Sequence, residues 1–220
     1  MSDEILTHYI YNIIIPGFLE TLFMFFVILI ISSVFGFLLA LLLYNTSPMG
    51  MNPNRVINTI VGFLVNIVRS LPVIVLIILL VPFTRMVLGK SIGVKAGIFY
   101  ITIAAIPFIA RVLEGNLREV DPVIIKMARS LGASDFQILM KFVVHEAVPS
   151  MVLGITFSAI LISGCISIAG IIGAGGLGEV ALNYGYKTYN HFIMNTCVCI
   201  MVIFVGVIQL TGNLIYRKLR

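Results

Sequence analysis

Charge is what this sequence has least of. Asp, Glu, Lys and Arg make up 10% of its 220 residues, against roughly a quarter in soluble globular domains, so a soluble domain is excluded. The scarcity is patterned: no charged residue stands between Glu20 and Arg55, from Ala147 to Gly178, or from Thr188 to Tyr216. Each run exceeds the ~20 apolar residues that a helix needs to cross a bilayer. A mean hydropathy of +1.13 agrees.

Other absences exclude other functions. Acids and histidines are missing from mid-span, because Glu20, Glu114, Glu146, Glu179 and His191 all fall near predicted span ends and His8 lies in the N-terminal tail. Proton pumps and ion-coupled carriers place such groups inside the membrane to bind the coupling ion. An external energy source is therefore the more economical reading, and a self-sufficient ion-coupled carrier or channel the alternative. An intramembrane enzyme would need paired acids, a His-metal cluster or an activated nucleophile, and the runs hold none. The three cysteines, Cys165, Cys197 and Cys199, are odd in number and sit in apolar runs, where Cys behaves as a small hydrophobe; residues two apart do not share a helix face, so no metal or disulfide role is expected. The opening "MSDEILTHY" lacks the basic region and small-residue cleavage site of a signal peptide, so the first run is expected to stay as an anchor.

What is present is an all-α, multi-pass membrane domain over 1–220 with five predicted spans, at about 18–44, 57–83, 96–113, 147–170 and 192–215. The second contains Arg69 and Pro72, and the third Pro107. Pro72 disfavours helical geometry at Leu71, so the chain from Val56 to Val68 is free to run along the cytoplasmic interface before crossing. Arg69 then has a wet or interfacial place, as a snorkelling structural residue or as one lining a pathway. Pro82, Pro107 and Pro149 are expected to mark breaks or span starts. With the N-terminus outside, the inside segments hold nine basic residues and the outside segments four, as the positive-inside rule prefers. The net charge of +5 then reflects topology, with membrane lipid as partner and no nucleic acid. Small residues at Ser32, Gly36 and Ala40, and at Gly154 and Ser158, recur every four positions and predict close helix packing in lipid.

Between the third and fourth spans, residues 114–146 form a polar island. Asp121-Pro122 is an N-cap followed by proline at the first helical position, Ile124, Ala128 and Leu131 share a helical face, and Gly132 is the expected left-handed stop. Ser134 and Gln137 complete a capping box ahead of a predicted stripe of Phe136, Leu139, Met140 and Val143. A helix, a turn and a helix are encoded, too short and charged to span. Either its apolar stripe rests on headgroups or it docks into a partner. A DNA-reading role is disfavoured, since Arg111, Arg118, Lys126, Arg129 and Lys141 are balanced by Glu114, Glu119, Asp121, Asp135 and Glu146, leaving no basic stripe.

"KMARSLGASDFQILMKF", followed by "AVPS", resembles the cytoplasmic EAA loop of ATP-binding-cassette (ABC) importer permeases, with Ala128 and Gly132 on that motif's alanine and glycine. "NIVRSLPVIVLIILLVPFTRMVLGKSIG", "AAIPFIARVLEGNLREVDP", "GAGGLGEVALNYGYKTYN" and "MNT" together resemble the methionine-importer permease family, in order, from about Gly17 onward. Lys126 and His145 depart from the motif, where a glutamate and a proline are usual. The resemblance implies the type I importer permease fold in a bacterial plasma membrane. It implies a homodimer enclosing the path, with a cytoplasmic ATPase dimer that binds ATP and Mg and an extracytoplasmic substrate-binding protein. The chain itself would carry no cofactor, metal or catalytic residue. Within the loop 122–143, Lys126, Ala128, Gly132, Ser134, Phe136, Leu139 and Lys141 would couple to the ATPase, and Arg69, Pro72, Gly173, Gly175 and Gly176 are candidates for pathway or gate.

Two nucleotide motifs are decoys. "GAGGLG", Gly173 to Gly178, fits the dinucleotide pattern but follows a membrane span and lacks a strand-turn-helix context; it reads as an outward-facing, close-packed turn. "GKS", Gly89 to Ser91, has Thr84 where a phosphate loop needs its first glycine. The ten methionines carry no substrate code, being flexible apolar filler.

Overall fold

The computed structural model describes residues 7–219; the acidic opening through Leu6 and the terminal Arg220 lie outside the described residues. All regular elements among the described residues are helices: α1 (Thr7–Thr46), α2 (Arg55–Ser70), α3 (Val73–Leu88), α4 (Val94–Arg118), α5 (Pro122–Ser130), α6 (Asp135–Ile171), α7 (Gly176–Val180) and α8 (His191–Leu219). α1, α4, α6 and α8 are long and apolar enough to cross a membrane.

The range predicted as a second span is two helices. α2 and α3 have 16 residues each, about 24 Å at 1.5 Å per residue and short of a ~30 Å hydrocarbon core. They meet at a bend of 108°, where Pro72 adopts an extended conformation (φ −54°, ψ 134°). Counted together, they supply a fifth crossing. The other prolines correct the sequence expectation: Pro82, Pro107 and Pro149 all lie inside helices. Membrane helices tolerate such residues because neighbouring groups and local adjustments satisfy the freed carbonyl.

The described chain forms two compact units, one from residues up to Ile31, Leu71–Ala104 and Ala159–Gln209, the other from Ser32–Ser70, Ala105–Ser158 and Leu210 onward. In the first, Ile14, Leu177, Val180, Ile193 and Cys197 make a buried cluster, and Phe204 packs edge-on against Phe25 with centroids 4.9 Å apart. In the second, the small-residue stripe works as its spacing suggests. Ser32, Gly36 and Ala40 are all buried, and a Cβ on Gly36 would come within 2.7 Å of Ile109.

α2 is strongly amphipathic. Val56, Ile60, Phe63, Leu64 and Ile67 face outward while Gly62 and Val65 are buried. On its inner side, Asn58 donates from Nδ2 to the Leu43 carbonyl at 2.8 Å and to Thr46 Oγ1 at 3.2 Å. This side-chain link satisfies the Leu43 carbonyl, one of the last four that the end of α1 leaves without an intrahelical partner.

Candidate coupling surface and pathway

The helix-turn-helix between α4 and the apolar part of α6 is built from local bonds. Asp121 Oδ1 accepts from the Val123 N–H at 2.8 Å with Pro122 in the first turn. α5 stops where Gly132 takes φ +80°, and the Ala133 N–H reaches back to the Ala128 carbonyl at 3.2 Å. Ser134 then forms both bonds of its capping box with Gln137, at 3.0 and 3.3 Å. These bonds fix the direction of the turn without drawing on the membrane part.

The two faces of this unit differ from the expected stripes. Ala128, Ile138, Leu139 and Val143 are buried, whereas Val123, Met127, Leu131, Phe136 and Met140 are exposed, Leu131 and Phe136 by 76% and 73%. Leu131 leaves the inner face because it is the C-cap, turned out of helical geometry just before Gly132. The Phe136, Leu139, Met140, Val143 stripe is split by a wide turn over Ile138–Val143, in which the Val144 N–H bonds back to the Leu139 carbonyl. One extra residue in a turn rotates everything beyond it about the helix axis. The result is an outward apolar strip flanked by the exposed side chains of Lys126, Arg129 and Lys141. Arg129 sits 3.4 Å from Asp135, with both side chains largely exposed, so this ion pair adds little.

Behind the unit, the end of α4 carries a charge cluster around one buried carboxylate. Glu114 is 1% exposed and accepts from Arg111 at 2.5 Å and from Arg118 at 2.6 Å, while Arg111 also donates to Asn66 Oδ1 on α2 at 2.9 Å. The spacing i, i+3, i+7 puts all three ions on one helix face. That spacing was legible in the sequence, where Glu114 passed only as a span-end residue.

In the first unit, the glycine run folds as a close-packed turn. Gly173, Gly175 and Gly176 have φ of +84°, +90° and +81°, values that L side chains resist. Two of its amides are tied to distant side chains, the Gly176 N–H donating to Glu20 at 2.8 Å and the Leu177 N–H to Thr21 Oγ1 at 2.8 Å, while the Gly175 N–H donates to nearby Glu179 at 2.9 Å. A Cβ on Gly178 would overlap the backbone of Ser167. Beside the turn lies a cavity of about 450 Å³ bordered by Asn12, Glu20, Gly175, Glu179 and Tyr184. The anchoring roles of Glu20 and Thr21 had no sequence signal, because 156 residues separate each from its partner.

Arg69 is exposed at the end of α2, its guanidinium 5.9 Å from the centroid of Phe108 on α4. Phe108 is stacked at a tilt on Phe157 of α6, centroids 6.1 Å apart. Pro72, in the other unit, caps α3 without a side-chain bond.

Comparison with known proteins joins these pieces. The model of a family described as "Binding-protein-dependent transport system inner membrane component" matches residues 46–220. The probable D-methionine transport system permease protein MetI of Vibrio cholerae serotype O1 is 35% identical over 199 residues, 90% of this chain and 88% of the relative. The methionine import system permease protein MetP of Bacillus subtilis (strain 168) is 39% identical over 174 residues, 79% of this chain and 78% of the relative. A solved structure of the MetNI methionine ABC transporter in inward-facing conformations superposes with a TM-score of 0.93 at 38% identity, covering all of both chains. An amino acid ABC transporter solved with histidines, at 20% identity and a TM-score of 0.80, shares the fold. The chain therefore belongs to the binding-protein-dependent transport system inner membrane component family and is an ABC importer permease, a multi-pass membrane subunit rather than an enzyme.

Proposed function

We propose that this chain is the permease subunit of an ATP-driven methionine importer, a single membrane domain working as a homodimer whose two copies enclose the path. ATP and Mg bind to a cytoplasmic ATPase dimer, and an extracytoplasmic binding protein delivers the amino acid. The observation that carries the coupling role is the outward apolar strip of Val123, Met127, Leu131, Phe136 and Met140 on a unit rigidified by its own caps. Its exposed Lys126, Arg129 and Lys141 stand with exposed Asp121 and Asp135 around the strip, so a protein groove with an apolar floor and a rim carrying both charge signs suits it. Leu139 and Ala128 act from the inner face, holding the lever to the membrane part, and Gly132 and Ser134 set its turn.

In this reading the N-terminus is outside and the C-terminus cytoplasmic. Closure of the ATPase dimer pushes the unit, and the Arg111–Glu114–Arg118 cluster, bonded to Asn66, passes the displacement to α2 as well as α4. The break at Pro72 and the glycine turn at Gly173, Gly175 and Gly176 serve as hinge and outward gate. Binding energy and ATP bias which side is open.

The test is uptake of labelled methionine into proteoliposomes containing this chain with its ATPase and binding protein, each omitted in turn, with and without enclosed ATP. Uptake that requires all three and ATP is expected. Gradient-driven uptake by this chain alone would overturn the reading.

A further inference from the structure

Arg69 is placed where an arginine is costly. Phe108 lies near the midpoint of α4 (Val94–Arg118) and Phe157 near the middle of the regular stretch Val144–Ile171. Both helices qualify as membrane spans by length and composition. A guanidinium held 5.9 Å from Phe108 is thus carried toward the centre of the bilayer, where an arginine costs about 2.5–3.5 kcal/mol on insertion scales and marks a functional site by default. The ion pairs found among the described residues are Arg111–Glu114, Arg118–Glu114 and Arg129–Asp135, and none neutralises Arg69. Its contact with the Phe108 face is a cation–π interaction, which orients the group and leaves its N–H fork open.

We infer that Arg69 binds the α-carboxylate of the transported amino acid in the membrane and that Phe108 and Phe157 line the place of its side chain. This rests on the importer reading. The chemistry matches on both ends. A planar guanidinium pairs a carboxylate through two parallel N–H···O bonds, and thioether sulfur packs favourably ~5 Å from aromatic rings. Phe157 is 54% exposed, so its ring is available to a ligand. The remaining cation of this face, Arg111, is spent on Glu114 and Asn66, which leaves Arg69 as the free carboxylate receptor here. A substrate bound in this way also pairs the otherwise unneutralised cation, so the loaded state is favoured over the empty one during passage.

The test uses the purified complex of this chain with its ATPase in detergent, without binding protein, and equilibrium dialysis of radiolabelled L-methionine against L-methioninamide, which keeps the ammonium and thioether but loses the anionic carboxylate. The wild-type complex is expected to prefer methionine by about tenfold or more, and Arg69→Gln to bring the two within about twofold, as loss of a charge-assisted bidentate pair implies. Phe157→Ala is expected to weaken methionine several-fold while leaving the methionine-to-amide ratio unchanged. If Arg69→Gln does not assemble, Arg69→Lys decides: a point charge without the fork should lower the preference several-fold, and an unchanged preference overturns the inference. So does a full preference in Arg69→Gln, or no binding to the wild-type complex. Uptake in proteoliposomes judges the importer reading separately, so retained uptake with an Arg69-independent preference overturns this inference alone.

Discussion

Two tight turns of this molecule, the one at Gly132 and the one at Gly173 to Gly176, solve the same backbone problem by opposite means. Both use positive-φ glycine and both lead into helix. The Gly132 turn is held by bonds to residues at most five positions away, and a Cβ on Gly132 would meet nothing within 4 Å. The Gly173 to Gly176 turn is held by Glu20 and Thr21 from 156 positions away and is surrounded by atoms on several sides. The lesson is that the first turn is a self-contained projection, shaped before it meets a partner, while the second exists only as part of a packed unit.

Substitutions can break or sharpen this contrast. The largest effect is expected at Gly178, where a Cβ overlaps the Ser167 backbone. Gly178→Val should abolish accumulation of folded protein in the membrane, measured by detergent extraction and size-exclusion chromatography. Gly132→Trp strains the turn by roughly 1–2 kcal/mol at φ +80° but meets no atom of this chain within 4 Å of its Cβ, so it should still elute as folded protein while lowering ATP-driven uptake by more than an order of magnitude, because the space it fills belongs to the partner. Normal uptake in that variant would remove the coupling role. Glu114→Leu leaves two arginines without their shared carboxylate, and because both are partly exposed to solvent the loss is that of charge-assisted hydrogen bonds, about 1.5–3 kcal/mol; a matching fall in thermal stability is expected. Phe136→Ala should weaken ATPase association by about 1–2 kcal/mol at unchanged melting temperature, read from a pull-down titration. The smallest effect is at Ser134, whose replacement by Ala removes one capping acceptor and should cost about 1 kcal/mol, visible as a modest loss of coupling efficiency.

Legibility in the sequence followed the range of the forces. The caps at Asp121 and Ser134, the stop at Gly132 and the buried stripe of Ser32, Gly36 and Ala40 were readable because each depends on spacing within a few residues. The break at Pro72 was readable for the same reason. The outward turn of Phe136 was not, because the wide turn over Ile138–Val143 depends on how that segment packs against its unit. Pro82, Pro107 and Pro149 stay inside helices where local proline rules predict interruptions, because in a membrane domain neighbouring groups and small backbone adjustments satisfy the freed carbonyls. Phe108 beneath Arg69, and Asn66 beside Arg111, lie 39 and 45 positions away from their partners in sequence, and no local pattern joins them.

The sequence by itself determined that this chain lives in lipid, that a helix breaks at Pro72, and that a capped polar unit projects between two spans. Those features come from composition and from bonds that close within a turn or two. Tertiary structure alone decided which side of that unit faces outward, which carboxylates hold the glycine turn, and that a guanidinium rests on an aromatic ring near the middle of two spans. Each of those depends on side chains brought together from distant positions, where packing in three dimensions, and not spacing along the chain, sets the energy.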